Sequence, residues 1–240
     1  MRFDGAKVVK RARSKTLISN IYTNAMTLRR LFAEFIGTFF LALVVCMTTY
    51  SKVSADIQPI AIGLFLMGLI YANGFMSGAV FNPAVTLALF LRGRLAPKEA
   101  LAYAVVQMAA GVAAAVLTMV LTSAKPIVQP IAAPPQYFAL IPALLAEFIG
   151  TFALSLVILN VATSKTLEGN NFYGLAIGTT VIGLIYTFGS VSGSVFNPAV
   201  AVGLDVAQIG NWGNLWIYLV ANFGGAALAA LSYRFVNKDE

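Results

Sequence analysis

Apolar positions along this chain gather in six long runs, not in strand-like alternation or narrow helical stripes. The runs fall at about residues 31–50, 57–75, 97–122, 138–161, 172–190 and 213–236. Each is close to the ~20 residues a helix needs to cross a hydrocarbon layer. Two shorter apolar pieces, residues 83–91 and 198–206, sit after the second and the fifth run. At ~1.5 Å rise per residue each reaches only about 13 Å, too short to cross. The pattern predicts an all-α membrane protein with six transmembrane helices and two re-entrant half-helices. Non-helical backbone leading into such pieces is tolerated at membrane depth only where protein buries it or it lines a cavity.

Composition agrees with that class. Of 240 residues, 59% are hydrophobic and 10% charged, against roughly 25% charged in a soluble domain. Histidine is absent, which removes imidazole metal sites, histidine bases and histidine pH switches. The single cysteine, Cys46, lies in an apolar run and cannot form an intrachain disulfide. No nucleophile–base set, metal-ligand cluster or phosphate-type glycine loop is visible. An enzyme, a cofactor, a bound metal and a nucleic-acid partner are therefore not expected.

The net charge of +7 is unevenly placed. Residues 1–30 carry eight Lys/Arg against one acid, Asp4. The segment lacks the apolar core and small-residue cleavage site of a secretory signal. Leu17, Ile18, Ile21, Tyr22 and Ala25 fall on one helical face, which fits a helix on an anionic membrane surface; a solvated basic tail is the alternative. Threading the runs alternately places Arg92, Arg94, Lys98, Lys165, Arg234 and Lys238 on the same side as this segment. Only Lys52 and Lys125 remain opposite. The bias predicts cytoplasmic N- and C-termini in a plasma or inner membrane.

The chain also repeats itself. Tyr71–Val85 returns as Tyr186–Val200 with ten of fifteen positions identical, and Ala33-Glu-Phe-Ile-Gly-Thr-Phe39 returns unchanged as Ala146–Phe152. Each copy holds three spans and one half-helix, and an odd span count turns the second copy upside down relative to the first. The expected organisation is a basic N-terminal segment (1–30), a first repeat (31–122), an external Pro-rich link (123–137), a second repeat (138–236) and a short tail (237–240).

Both repeats contain Asn-Pro-Ala: Asn82-Pro83-Ala84 and Asn197-Pro198-Ala199. One copy is a good helix start, with Asn as cap and Pro in the first turn. Two copies in an inverted repeat bring two helix N-termini face to face, each carrying roughly +0.5 elementary charge. Such a place disfavours cations, while the asparagine amides can donate hydrogen bonds to a neutral solute.

With these motifs, residues 30–236 resemble the aquaporin and aquaglyceroporin family (major intrinsic proteins). The resemblance implies an aquaporin-like inverted repeat, one pore per protomer, a homotetramer, and passive flow of water or small neutral solutes through the lipid bilayer. It assigns Glu34 and Glu147 to hold the re-entrant loops from behind the pore, so that a row of carbonyls faces the lumen. Gln107 and Asn222 occupy corresponding spans, as partners of loops or helices or as pore residues. Phe81 and Phe196 are expected to pack behind the half-helices. At the selectivity filter, most members continue the second box into arginine, whereas this chain has Val200. The remaining filter positions fall on Ile62, Ile185 and Ser194. This apolar quartet points to a wider, less selective pore for glycerol, urea, ammonia, peroxide or neutral metalloid acids as well as water. Two alternatives stand beside it: a non-conducting structural or adhesion tetramer with a dewetted ring, and an ion- or gas-permeable channel.

Overall fold

The computed structural model describes residues 5–122 and 139–238, with side chains from residue 28 onward. The Pro-rich link and the apolar face at Leu17–Ala25 lie outside the described residues and side chains. Among the described residues eight α-helices form: α1 (Gly5–Tyr50), α2 (Gln58–Ser77), α3 (Pro83–Leu91), α4 (Pro97–Leu121), α5 (Leu140–Thr163), α6 (Tyr173–Ser192), α7 (Pro198–Val206) and α8 (Leu215–Val236). Six are long and apolar enough to cross a membrane, while α3 and α7 have nine residues each.

The first helix contains the expected span and extends beyond it. The run of apolar residues placed its start near 31, yet the backbone is helical without interruption from Gly5. Between Gly5 and Arg30 there is no proline and no further glycine, so nothing local stops the helix before the apolar part begins at Leu28.

The two repeats pack alike and then exchange parts. Helix α1 lies on α2 and α4, and α5 lies on α6 and α8 in the same way. The repeats meet where α2 crosses α6. A Cβ built on Gly63 would stand 2.5 Å from the Gly178 carbonyl oxygen, and one on Gly178 2.6 Å from that of Gly63. Only glycine permits this approach of the two backbones. Each half-helix packs mainly on the last span of the opposite repeat, α3 on α8 and α7 on α4. Outside, α4 presents Leu101, Val105, Val112, Val116 and Val120, as expected where the surroundings are as apolar as the side chains themselves.

Candidate functional site

Helices α2 and α6 stop at glycines in left-handed conformation, Gly78 (φ 90°) and Gly193 (φ 84°). Both cap the helix behind them, through the Gly78 N–H to the Gly74 carbonyl and the Gly193 N–H to the Gly189 carbonyl. The chain then crosses four residues before the next helix starts. In these loops Ala79, Phe81, Ser194 and Phe196 also have φ near +50°. For residues bearing a Cβ this costs roughly 1–2 kcal/mol each, so something must hold them.

The holders are the two buried glutamates. Glu34 Oε1 accepts from Ser77 Oγ (2.6 Å) and the Val80 N–H (3.0 Å), and Oε2 from the Phe81 N–H (2.8 Å) and Gln107 Nε2 (2.9 Å). Glu147 Oε1 accepts from Ser192 Oγ (2.7 Å) and the Val195 N–H (2.9 Å), and Oε2 from the Phe196 N–H (2.8 Å). Ser77 and Ser192 each take one more loop N–H, from Ala79 and Ser194 (both 3.1 Å). Three successive N–H groups in each loop thus point at the buried side. Because a trans peptide sets its carbonyl opposite its N–H, the carbonyls of Gly78, Ala79, Val80, Gly193, Ser194 and Val195 point the other way. All six residues line a cavity.

The loops end in the paired boxes. Asn82 and Asn197 are extended N-caps of α3 and α7. Asn82 Oδ1 accepts from the Ala84 and Val85 N–H groups, and Asn197 Oδ1 from the Ala199 N–H. Their amide nitrogens cross over: Asn82 Nδ2 donates to the Phe196 carbonyl (2.8 Å), and Asn197 Nδ2 to the Phe81 carbonyl (2.9 Å). The two half-helices are thereby locked tip to tip, and each amide keeps a second proton for the cavity. Pro83, Ala84, Pro198 and Ala199 are buried in the first turns. Phe81 and Phe196 turn their rings away from the tips, against Gly37 and Gly150, where any Cβ would overlap the ring. That contact explains the glycine in both copies of Ala-Glu-Phe-Ile-Gly-Thr-Phe.

The cavity has a volume of about 1470 Å³. Arg94, Lys165 and Glu168 line it at one end, and Asp56, Tyr186 and Ser190 at the other. Asn82 and Asn197 lie between them, and Ile62, Ile185, Ser194 and Val200 line the half toward Asp56. Gln107 and Asn222 are fully buried and absent from the wall. Gln107 braces Glu34 and Thr86, and Asn222 accepts from Thr151 Oγ1 (3.0 Å).

Sequence reasoning passed over three matched pairs. Ser77 and Ser192 relay between glutamate and loop. Tyr103 and Tyr218 donate to the Ser77 and Ser192 carbonyls (2.9 and 3.0 Å). Tyr71 and Tyr186 reach across the repeat boundary: Tyr71 Oη bonds the Asn171 carbonyl (3.1 Å) and the Leu175 N–H (3.1 Å), and Tyr186 Oη the Asp56 carbonyl. Their signal was present, because every pair is identical in the two repeats.

Two strained loops meeting through asparagine-capped half-helices, in a cavity that reaches both ends of a six-span bundle, define a membrane channel. The chain belongs to the major intrinsic protein family, whose model matches residues 21–233. It is 37% identical over 215 residues to Aquaporin NIP1-4 of Oryza sativa subsp. japonica, covering 87% of this chain and 77% of that protein. It is 32% identical over 244 residues to Aquaporin AqpM of Methanothermobacter marburgensis, covering 88% and 98%. The fold matches the X-ray structure of the aquaglyceroporin from Plasmodium falciparum with a TM-score of 0.75 at 23% identity, covering 86% of this chain and 95% of that one. The protein is an integral membrane protein and a passive channel for water and small uncharged solutes; members of its family are channels rather than enzymes.

Proposed function

We propose that Ile62, Ile185, Ser194 and Val200 form the selectivity filter, and that the channel passes uncharged solutes larger than water. Glycerol, urea, ammonia, peroxide and neutral metalloid acids are the candidates. The observation that carries this reading is the wall itself: three aliphatic side chains and one hydroxyl, with no fixed cation among the described residues beside the loop. A ring of this kind leaves selection to width and to the loop carbonyls. Cations are opposed by the two half-helix N-termini at the asparagine pair. In the same reading the termini are cytoplasmic, supported by the one-sided placement of Lys/Arg, and the protein is a homotetramer, as the family resemblance implies.

Stopped-flow light scattering on proteoliposomes tests the filter. Val200→Arg is expected to lower glycerol permeability roughly tenfold, the equivalent of about 1.4 kcal/mol, and water permeability by much less. An equal change in both would place Val200 outside the constriction.

A further inference from the structure

The cavity wall repeats as the sequence does. The duplication that returns Tyr71 as Tyr186 also returns Ile62 as Ile177, Ile70 as Ile185, Ala79 as Ser194 and Val85 as Val200. One member of every pair belongs to the filter quartet. The other members are Ile177, Ile70, Ala79 and Val85, and they too line the cavity. Chain direction sets where they lie. Helix α2 leaves the Asp56 end, so Ile70 stands about two turns beyond Ile62. Helix α6 leaves the end of Lys165 and Glu168, so Ile177 comes about two turns before Ile185. The matching quartet therefore stands on the Arg94 side of the asparagine pair.

The same correspondence holds in the backbone. Ile62 and Ile177 each stand one residue before Gly63 and Gly178, the glycines at which α2 and α6 touch. That contact fixes the two isoleucines about the axis relating the repeats. Ala79 and Ser194 have φ of 51° and 52°, and their N–H groups donate to Ser77 and Ser192 (both 3.1 Å). Val85 and Val200 occupy the same turn of α3 and α7, whose tips are locked by the crossed asparagine bonds. Seven of the eight residues are buried, and Ile185 packs against the same core, so packing sets both rings. Their one chemical difference is the Ser194 hydroxyl, which has an internal acceptor in the Leu184 carbonyl at 3.4 Å.

We propose that Ile70, Ala79, Val85 and Ile177 form a second selectivity ring, so that a solute crosses two matched aliphatic constrictions in series, one on each side of the asparagine pair. This rests on the filter reading above. Resistances in series add, so both rings limit the flux of a solute that fits tightly. Narrowing either ring slows such a solute in full. Widening one leaves the other in place and gains about twofold at most, whereas widening both releases the whole effect.

The test uses the full chain in proteoliposomes, with glycerol permeability read by stopped-flow light scattering after subtraction of empty vesicles. Val85→Ala and Val200→Ala each trim one ring and keep the half-helix, because alanine is the best helix former. Each is expected to raise glycerol permeability about twofold or less, and the double variant roughly tenfold. Val85→Leu is expected to lower glycerol permeability as much as Val200→Leu does. Water permeability of the same vesicles shows that each variant has folded. A full increase with Val200→Ala alone, and none with Val85→Ala, overturns the second ring and leaves the filter standing. A full increase with Val85→Ala alone overturns the series arrangement and the filter reading together. Unchanged glycerol flux in the double variant, with water flux retained, also overturns both.

Discussion

The first loop, Gly78–Phe81, and the second loop, Gly193–Phe196, have the same backbone, the same serine relay and the same supporting glutamate, yet they are not equally secured. Glu34 receives four donors and Glu147 three. The missing fourth has a simple cause. Gln107 spans from α4 to Glu34 and also accepts from the Thr86 hydroxyl (3.0 Å). At the matching places the second repeat has Asn222, one methylene shorter, and Ala201, with no hydroxyl. Asn222 Nδ2 and the nearby Ser155 Oγ are buried without a protein partner. The symmetry that builds the pore is thus kept in the backbone and relaxed in the support of the second loop.

The largest effects come from removing the acids. Glu34→Ala leaves two loop N–H groups, the Ser77 hydroxyl and the Gln107 amide without their buried acceptor, at about 1–3 kcal/mol each. That approaches the ~5–15 kcal/mol stability of a typical domain, so little monodisperse protein is expected on size exclusion. Glu147→Ala strands the Val195 and Phe196 N–H groups and the Ser192 hydroxyl, one donor fewer than at Glu34, and is expected to be the milder of the two. Equal loss would erase the distinction between the loops.

Next in size is the comparison of the braces. Gln107→Ala removes a charge-assisted bond to Glu34 and a partner of Thr86, and is expected to cost about 2–3 kcal/mol in thermal or denaturant melts. Asn222→Ala removes a single bond to Thr151 and discards an amide nitrogen that already lacks a partner, so about 1 kcal/mol or less is expected. The smallest effect sharpens the contrast in the opposite direction. Asn222→Gln with Ala201→Thr rebuilds the first-loop arrangement around Glu147 and is expected to stabilise the protein by about 1 kcal/mol. A loss instead would mean that packing around α8, not amide reach, sets the support of the second loop.

Much of the architecture was legible because membrane burial writes it in long apolar runs, and because proline after asparagine marks both half-helix starts. The roles behind the pore were less so. A glutamate within a span announces a function, but the number of loop N–H groups it accepts depends on loop dihedrals that no residue pattern specifies. Nor does the sequence show that Asn82 and Asn197 donate across to each other's loop, since that bond joins residues 114 or more apart in the chain. That α1 runs on unbroken from Gly5 into the span was not legible for a related reason: hydropathy marks where a membrane begins, whereas a helix continues until a residue stops it.

The central claim, a passive channel for water and small uncharged solutes, is tested most directly by stopped-flow permeability of proteoliposomes containing the unmodified protein, paired with planar-bilayer recording. Water and glycerol permeabilities well above those of empty vesicles, beside an electrically silent bilayer, are the predicted result. Permeabilities equal to those of empty vesicles, or a steady cation current, would contradict it.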